Sequence, residues 1–254
     1  MASGREDLAS ARDGNNLASL IFYSAAYVGA AHHFDTTRKA GWVAASLSAH
    51  PIAGVSMAEP APLTADEIAA VHDRTYVDAV RTGQPRELAT SSGLGWDAGV
   101  WNAVCASNGG AVAAVLHAWR SRAHAGSLSS GLHHASMSHG AAFCTFNGLA
   151  LAAHAVLAAG AKHVLVLDLD AHCGGGTYRI VHEWPGVVQL DIAVSGVDRY
   201  PPDPAGHSTL DLVDDADRYL PTLRRRLSAL SGTALDVVIY NAGMDVHEEL
   251  SPLT

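Results

Sequence analysis

Three segments of the chain are nearly unbroken runs of β-branched residues and leucine: His163 to Leu169 (HVLVLDL), Val187 to Ile192 and Leu235 to Tyr240. Runs without polar alternation predict strands buried on both faces of a parallel sheet. Leu20 to Ser24 (LIFYS) predicts a shorter first strand. Around these lie segments with helical patterning: Thr37 to Ala49, Thr64 to Val80, Asn102 to Ala123, Leu149 to Ala159 and Asp214 to Leu230. Thr64 followed by Ala, Asp and Glu67 is a helix-start signal. Strand and helix alternate, so the expectation is a single α/β domain over 1–254, behind a flexible polar lead-in at 1–18. Its sheet is expected to be one doubly wound, mostly parallel sheet with helices on both faces and ligands outside the carboxyl ends of the strands.

Residues 131–148, GLHHASMSHGAAFCTFNG, fit neither period and predict a loop, and loops between buried elements commonly carry function. The next strand ends in Asp168, Asp170 and His172, and because strand side chains alternate, their spacing of two puts all three on one face. The later strand, DVVIYNAGMD, delivers Asp245 to the same end of the sheet. Gathering such groups in a buried place costs several kcal/mol each without a cation or a dense hydrogen-bond network. D-x-D-x-H alone is equally readable as two unrelated strand-end acids. The adjacent histidines His133 and His134 change that balance. Amide hydrolysis needs an activated water, a polarised carbonyl and a proton acceptor near neutral pKa. Two carboxylates and an imidazole leave zinc an open position, and a histidine supplies the base.

Composition narrows the partners. Sixteen Lys and Arg against 25 Asp and Glu give a formal net charge of -9, which argues against direct nucleic-acid binding. The cysteines, Cys105, Cys144 and Cys173, are too few and scattered for a disulfide framework or a zinc knuckle. The start, MASGREDLASARDGNN, is unlike a signal peptide, and apolar stretches such as LALAAHAVLAAGA fall short of the roughly 20 residues of a membrane span. A cytoplasmic protein without a membrane association is expected.

GLHHASMSHGAAFCTFNG, VLDLDAHCGGG and YNAGMD resemble the motifs of the histone deacetylase family, within the arginase/deacetylase fold. FYSAAYVGAAHHFDTTRKAGWVAASL and DRYPPD are similar to its class IV branch in particular. The resemblance implies one catalytic zinc ion held by Asp170, His172 and Asp245, with His133 and His134 as the catalytic histidines. It makes Phe143 and Tyr200 walls of a substrate tunnel, and it associates Asp168 and Asp191 with a structural monovalent cation such as K+. Arg38 aligns with an arginine of an internal product channel. The implied reaction is removal of an acyl group from an acylated amine, such as an acyl-lysine peptide or an acylpolyamine.

Three departures from the family pattern carry expectations. No tyrosine follows Asp245, so these residues lack the usual oxyanion donor, worth about 2.7 to 4 kcal/mol in the transition state, and activity is expected to be weak. Gly175 stands where many members carry an acid or amide partnering the second histidine, so His134 is expected to be poorly oriented. Ala142 replaces the glycine before Phe-Cys. Stopping at Thr254 also predicts a truncated sheet, with a homo-oligomer covering an exposed edge. Two other functions compete: a catalytically silent metal-binding protein, and a ureohydrolase with two manganese ions. The second lacks its further acids, because Cys173, Gly174 and Gly175 follow the first trio and Val246-His247 follow Asp245.

Overall fold

The computed structural model describes residues 19–30, 37–203 and 205–246; the expected lead-in, residues 31–36 of the class IV-like stretch and residues 247–254 lie outside them. The first half runs β1 (Ser19–Phe22), α1 (Lys39–Ala49), β2 (Val55–Ala58), α2 (Ala65–Ala69), α3 (Arg74–Thr82), α4 (Arg86–Ala89), α5 (Ala98–Ser121) and β3 (Ala125–Ser127). The second runs α6 (Gly148–Ala158), β4 (Val164–Asp168), α7 (Gly175–Val181), β5 (Val187–Ala193), β6 (Ser208–Leu212), α8 (Ala216–Ala229) and β7 (Val237–Asn241). Every strand pairing is parallel.

The apolar runs become β4, β5 and β7, and β4 is buried on both sides as its composition requires. Val164 and Val166 pack with Phe146, Val156 and the α5 and α6 side chains. Leu165, between them, faces the other way, toward Leu190, Ile192 and Leu223 of α8. Each fully buried side chain of this kind contributes about 1.5 to 3 kcal/mol. The two faces of one short strand therefore tie the helical layers together.

Where a single ladder was expected, the described strands form two, β2-β1-β3 and β6-β5-β4-β7. β3 and β7 each pair on one side only, although Gly131 beyond β3 approaches Asn241 at the end of β7 so closely that a Cβ would lie 2.5 Å from Asn241 Oδ1. β2, β3 and β6 escaped prediction because VSMA, AGS and STLDL contain no apolar run.

The helix expected over Thr64 to Val80 is broken in two. Its start is as read: the Thr64 hydroxyl accepts the Glu67 N–H, and Glu67 accepts the Thr64 N–H at 2.7 Å. The break at 70–73 comes from the 131–148 loop, which takes the Asp73 N–H on Met137 O at 2.9 Å and the His72 side chain on Ser136 O. Tyr76 of α3 is 1% exposed and donates to Thr145 O. α5 is long and apolar enough to cross a membrane by length and composition, unlike the shorter stretches weighed above, but half of that window is buried in the fold.

Candidate metal centre and its histidines

β4 ends at Asp168, so alternation along a strand does not carry Asp170 and His172. A turn gathers them instead: the Asp170 N–H donates to Asp168 Oδ1 at 3.2 Å and the His172 N–H to Asp170 Oδ1 at 2.9 Å. Asp245 arrives from beyond β7, where its Oδ1 accepts the Ala171 N–H at 3.0 Å. Gly243 permits that approach, since a Cβ there would sit 2.4 Å from Asp170 Cα. One ligand atom each from Asp170, His172 and Asp245 then lie within 4.8 Å of one another.

The donor set fits a divalent cation. His172 Nδ1 is 3.1 Å from Asp170 Oδ1 and 3.2 Å from Asp245 Oδ2. Hydrogen bonds to Asp170 and then Asp245 push this imidazole up to about 10, against the opposing effect of burial. Burial favours the neutral form of Asp245, but bonds from His172 and the Ala171 N–H outweigh it and hold the carboxylate at about 2. A proton on His172 thus compensates two carboxylates, the electrostatic task a cation performs when it displaces that proton. Side-chain exposures of 15 to 30% leave room for further ligands, as an open catalytic site requires.

The tandem histidines face this cluster. His133 Nδ1 donates to Asp168 Oδ2 at 2.6 Å, and its Nε2 is 3.5 Å from Asp170 Oδ1. Burial disfavours its charge, yet Asp168, with Asp170 and Asp191 behind it, pushes His133 up to about 9. The Nε2 atoms of His133 and His134 are 3.1 Å apart, within hydrogen-bond distance. His134 is not left without a partner by Gly175: its Nδ1 donates to Asp198 Oδ2 at 3.0 Å, which corrects that expectation. The carboxylate comes from the loop after β5 instead of the turn after β4. Asp191, paired in register with Asp168, accepts the Gly174 N–H at 2.8 Å; burial, then the Asp168 charge, raises it well above the carboxylate range.

Residues 32–250 match the histone deacetylase domain. The chain belongs to the histone deacetylase family. It is 34% identical over 187 residues to an uncharacterized protein of Picosynechococcus sp., covering 70% of this chain and 60% of that protein. It is 29% identical over 213 residues to the acetoin utilization protein AcuC of Bacillus subtilis, covering 74% and 55%. The chain thus spans little more than half the length of these relatives. The crystal structure of an acetylpolyamine aminohydrolase from Burkholderia pseudomallei superposes with a TM-score of 0.73 at 22% identity, covering 91% of this chain and 83% of that one, a likeness of fold.

The remaining expected site residues divide between the surface and the core. Phe143 is 47% exposed and, with Leu132, lines a cavity of about 120 Å³ shared with Tyr27, Ala30, Ser107 and Ser129. Ala142 and Phe143 both have positive φ, 43° and 68°, which explains why a glycine suits the position before Phe143. Tyr200 does not reach an entrance: it is 3% exposed, stacked on Tyr178 at 4.4 Å, with its hydroxyl on Thr209 O. Arg38 is exposed and lies over the Trp42 ring at 5.7 Å, and its side chain does not line the cavity although its neighbours Thr37 and Lys39 do.

Three supporting residues were missed by sequence reading, besides Asp198. Asn241 donates to Asp168 Oδ1 at 2.8 Å, completing that carboxylate's partners. Asn147 donates to Ala135 O and Thr177 Oγ1, both at 3.0 Å, and pins the histidine loop to α7. His72 donates from Nδ1 to Ser136 O and accepts the Asn147 N–H on Nε2 at 3.0 Å. The Asn in YNAG and in FNG was visible as a polar residue beside an apolar run, but nothing in one sequence says what it bonds.

Proposed function

We propose that this domain is a metal-dependent amide hydrolase that removes an acyl group from an acylated amine, with one zinc ion held by Asp170, His172 and Asp245. The observation that carries the reading is the convergence of those three donors beside two buried histidines, His133 Nε2 lying 3.5 Å from Asp170 Oδ1 and 3.1 Å from His134 Nε2. A divalent ion there supplies Lewis-acid polarisation of the acyl carbonyl and of water. His134, with Nδ1–H committed to Asp198, presents Nε2 to take the water proton. His133, buried against Asp168, holds a proton that can pass to the leaving amine. Phe143 forms one wall of the approach. Tyr200 is not proposed as another, because it is buried.

The proposed substrates are acyl-lysine peptides and acylpolyamines, whose cationic character suits a net charge of -9. Kinship with AcuC and the fold shared with an acetylpolyamine aminohydrolase support this class. The paired carboxylates Asp168 and Asp191 are proposed to neighbour a structural monovalent cation such as K+. A cytoplasmic location and no direct nucleic-acid or membrane partner are part of the same reading. So is a homo-oligomer over the β7 edge, where Val238 and Tyr240 are exposed.

The test is acetate release from an acetyl-lysine peptide and from an acetylated polyamine by chelator-treated protein before and after one equivalent of zinc. Zinc-restored hydrolysis that the Asp170→Ala variant lacks is expected. Zinc binding without hydrolysis of either substrate would favour the catalytically silent alternative.

A further inference from the structure

The loop after β5 is laced onto the turn after β4. Ala171 O accepts the Val194 and Ser195 N–H groups at 2.9 and 2.8 Å, and the Cys173 N–H donates to Val197 O at 3.0 Å. At the end of this lacing Asp198 adopts φ 59°, a left-handed conformation that Asp tolerates better than most residues. Its carboxylate has three donors. Oδ2 accepts His134 Nδ1–H and the Gly176 N–H, each at 3.0 Å, and Oδ1 accepts Arg179 Nη2 at 2.7 Å.

The space this carboxylate fills is the space a side chain at 175 would need. A Cβ on Gly175 would lie 2.2 Å from Asp198 O, 2.5 Å from Asp198 Oδ1 and 2.7 Å from its Cγ. The backbone contact is the decisive one, because a flexible side chain can swing aside and a laced backbone cannot. Asp198 in this placement therefore excludes any residue larger than glycine at 175.

We propose that Asp198 is the positioning residue for His134, and that Gly175 is required because it makes room for a carboxylate delivered from a different loop. The inference rests on the deacetylase reading for its kinetic consequence, but the tautomer of His134 can be read without turnover. With Nδ1–H donated to Asp198, the lone pair of His134 sits on Nε2, on the side of His133 and the metal cluster. Arg179, 47% exposed, acts through Asp198 by fixing its second oxygen. A wrong tautomer in a comparable histidine–carboxylate arrangement costs about 10⁴ in kcat. His134 keeps its loop packing without Asp198, so a smaller loss is expected here.

The experiment uses the zinc-loaded 254-residue chain as wild type, Asp198→Ala, Asp198→Asn and Gly175→Ala, with ¹⁵N-labelled histidine. Three quantities are read: imidazole ¹⁵N shifts, bound zinc, and kcat and KM on an acetyl-lysine peptide. Wild type should show His134 as the Nδ1–H tautomer. Asp198→Ala and Gly175→Ala should both lose that signature with zinc unchanged, the second although its carboxylate is chemically intact. Their kcat should fall about 10- to 100-fold with KM within threefold, and Asp198→Asn, whose NH2 can donate to Nδ1 and so select the other tautomer, should fall at least as far. An unaltered His134 tautomer in Asp198→Ala, or in Asp198→Asn and Gly175→Ala should that variant not fold, overturns the proposal. An inactive wild type with the expected tautomer pattern would instead count against the proposed function and leave the positioning role standing.

Discussion

His133 and His134 are neighbours in sequence, yet their partners come from opposite kinds of structure. Asp168 ends a strand buried on both faces, is 1% exposed, and receives bonds from His133, Asn241 and the Asp170 N–H. Asp198 sits in a loop, 14% exposed at its side chain, and shares its charge with a half-exposed arginine. The first partner is fixed by the sheet, so removing it should damage the fold and the site together. The second is fixed by loop contacts, so removing it should damage the site with less cost to the fold.

The largest expected effect lies on the metal side of this contrast. Gly243→Ala places a methyl group 2.4 Å from Asp170 Cα and must push Asp245 away from the other ligands. Zinc bound per chain, measured after dialysis, should fall from one to a small fraction. Full zinc retention would show that Asp245 is dispensable.

Asp168→Ala comes next. It strands three donors, one buried and two partly buried, and leaving such groups unpaired costs about 1 to 3 kcal/mol each, so a loss of roughly 3 kcal/mol or more is expected in urea unfolding. Asp198→Ala, measured alongside, should lose less, about 1 to 2 kcal/mol, because one of its three donors, Arg179, is half-exposed and is solvated when freed. Equal losses would erase the distinction between strand-borne and loop-borne partners.

A third effect concerns the platform under both histidines. Burial holds His72 down to about 4, with Ser136 O and Met137 O only partly opposing it. Unfolded, His72 protonates near pH 6.5. Above that pH neither state binds the proton and His72 contributes no pH dependence. From 6.5 down to 4 only the unfolded chain binds it, so stability falls by about 3 kcal/mol across that window. Urea unfolding of wild type should steepen in this range relative to His72→Gln; parallel curves would mean His72 is solvated.

The smallest effect is at the entrance. Phe143→Ala should leave stability within about 0.5 kcal/mol because the ring is 47% exposed, while binding of an aliphatic hydroxamate weakens by about 1 kcal/mol. Unchanged affinity would remove Phe143 from the approach.

How much of this was legible follows the same division. β4, β5 and β7 announce themselves because burial on both faces demands an apolar run, and the acids at their ends stand out against it. β2, β3 and β6 do not, since a short strand stabilised by its neighbours' ladders needs no pattern of its own. Asp170, His172 and Asp245 were readable as types in order, but their meeting depends on a turn and on Gly243. Asp198 was hidden for a physical reason: the family resemblance marks an absent acid at Gly175, and only the folded loop shows its replacement. Tyr200 misled because DRYPPD matches a pattern while the hydroxyl turns inward to Thr209 O.

Zinc-edge anomalous diffraction from crystals of the zinc-loaded chain tests the metal centre most directly. One peak is expected, bonded to Asp170, His172 and Asp245 at about 2.0 to 2.2 Å, with both tandem histidines facing it. Two peaks sharing these ligands, or a single peak elsewhere in the molecule, would contradict a one-metal deacetylase centre.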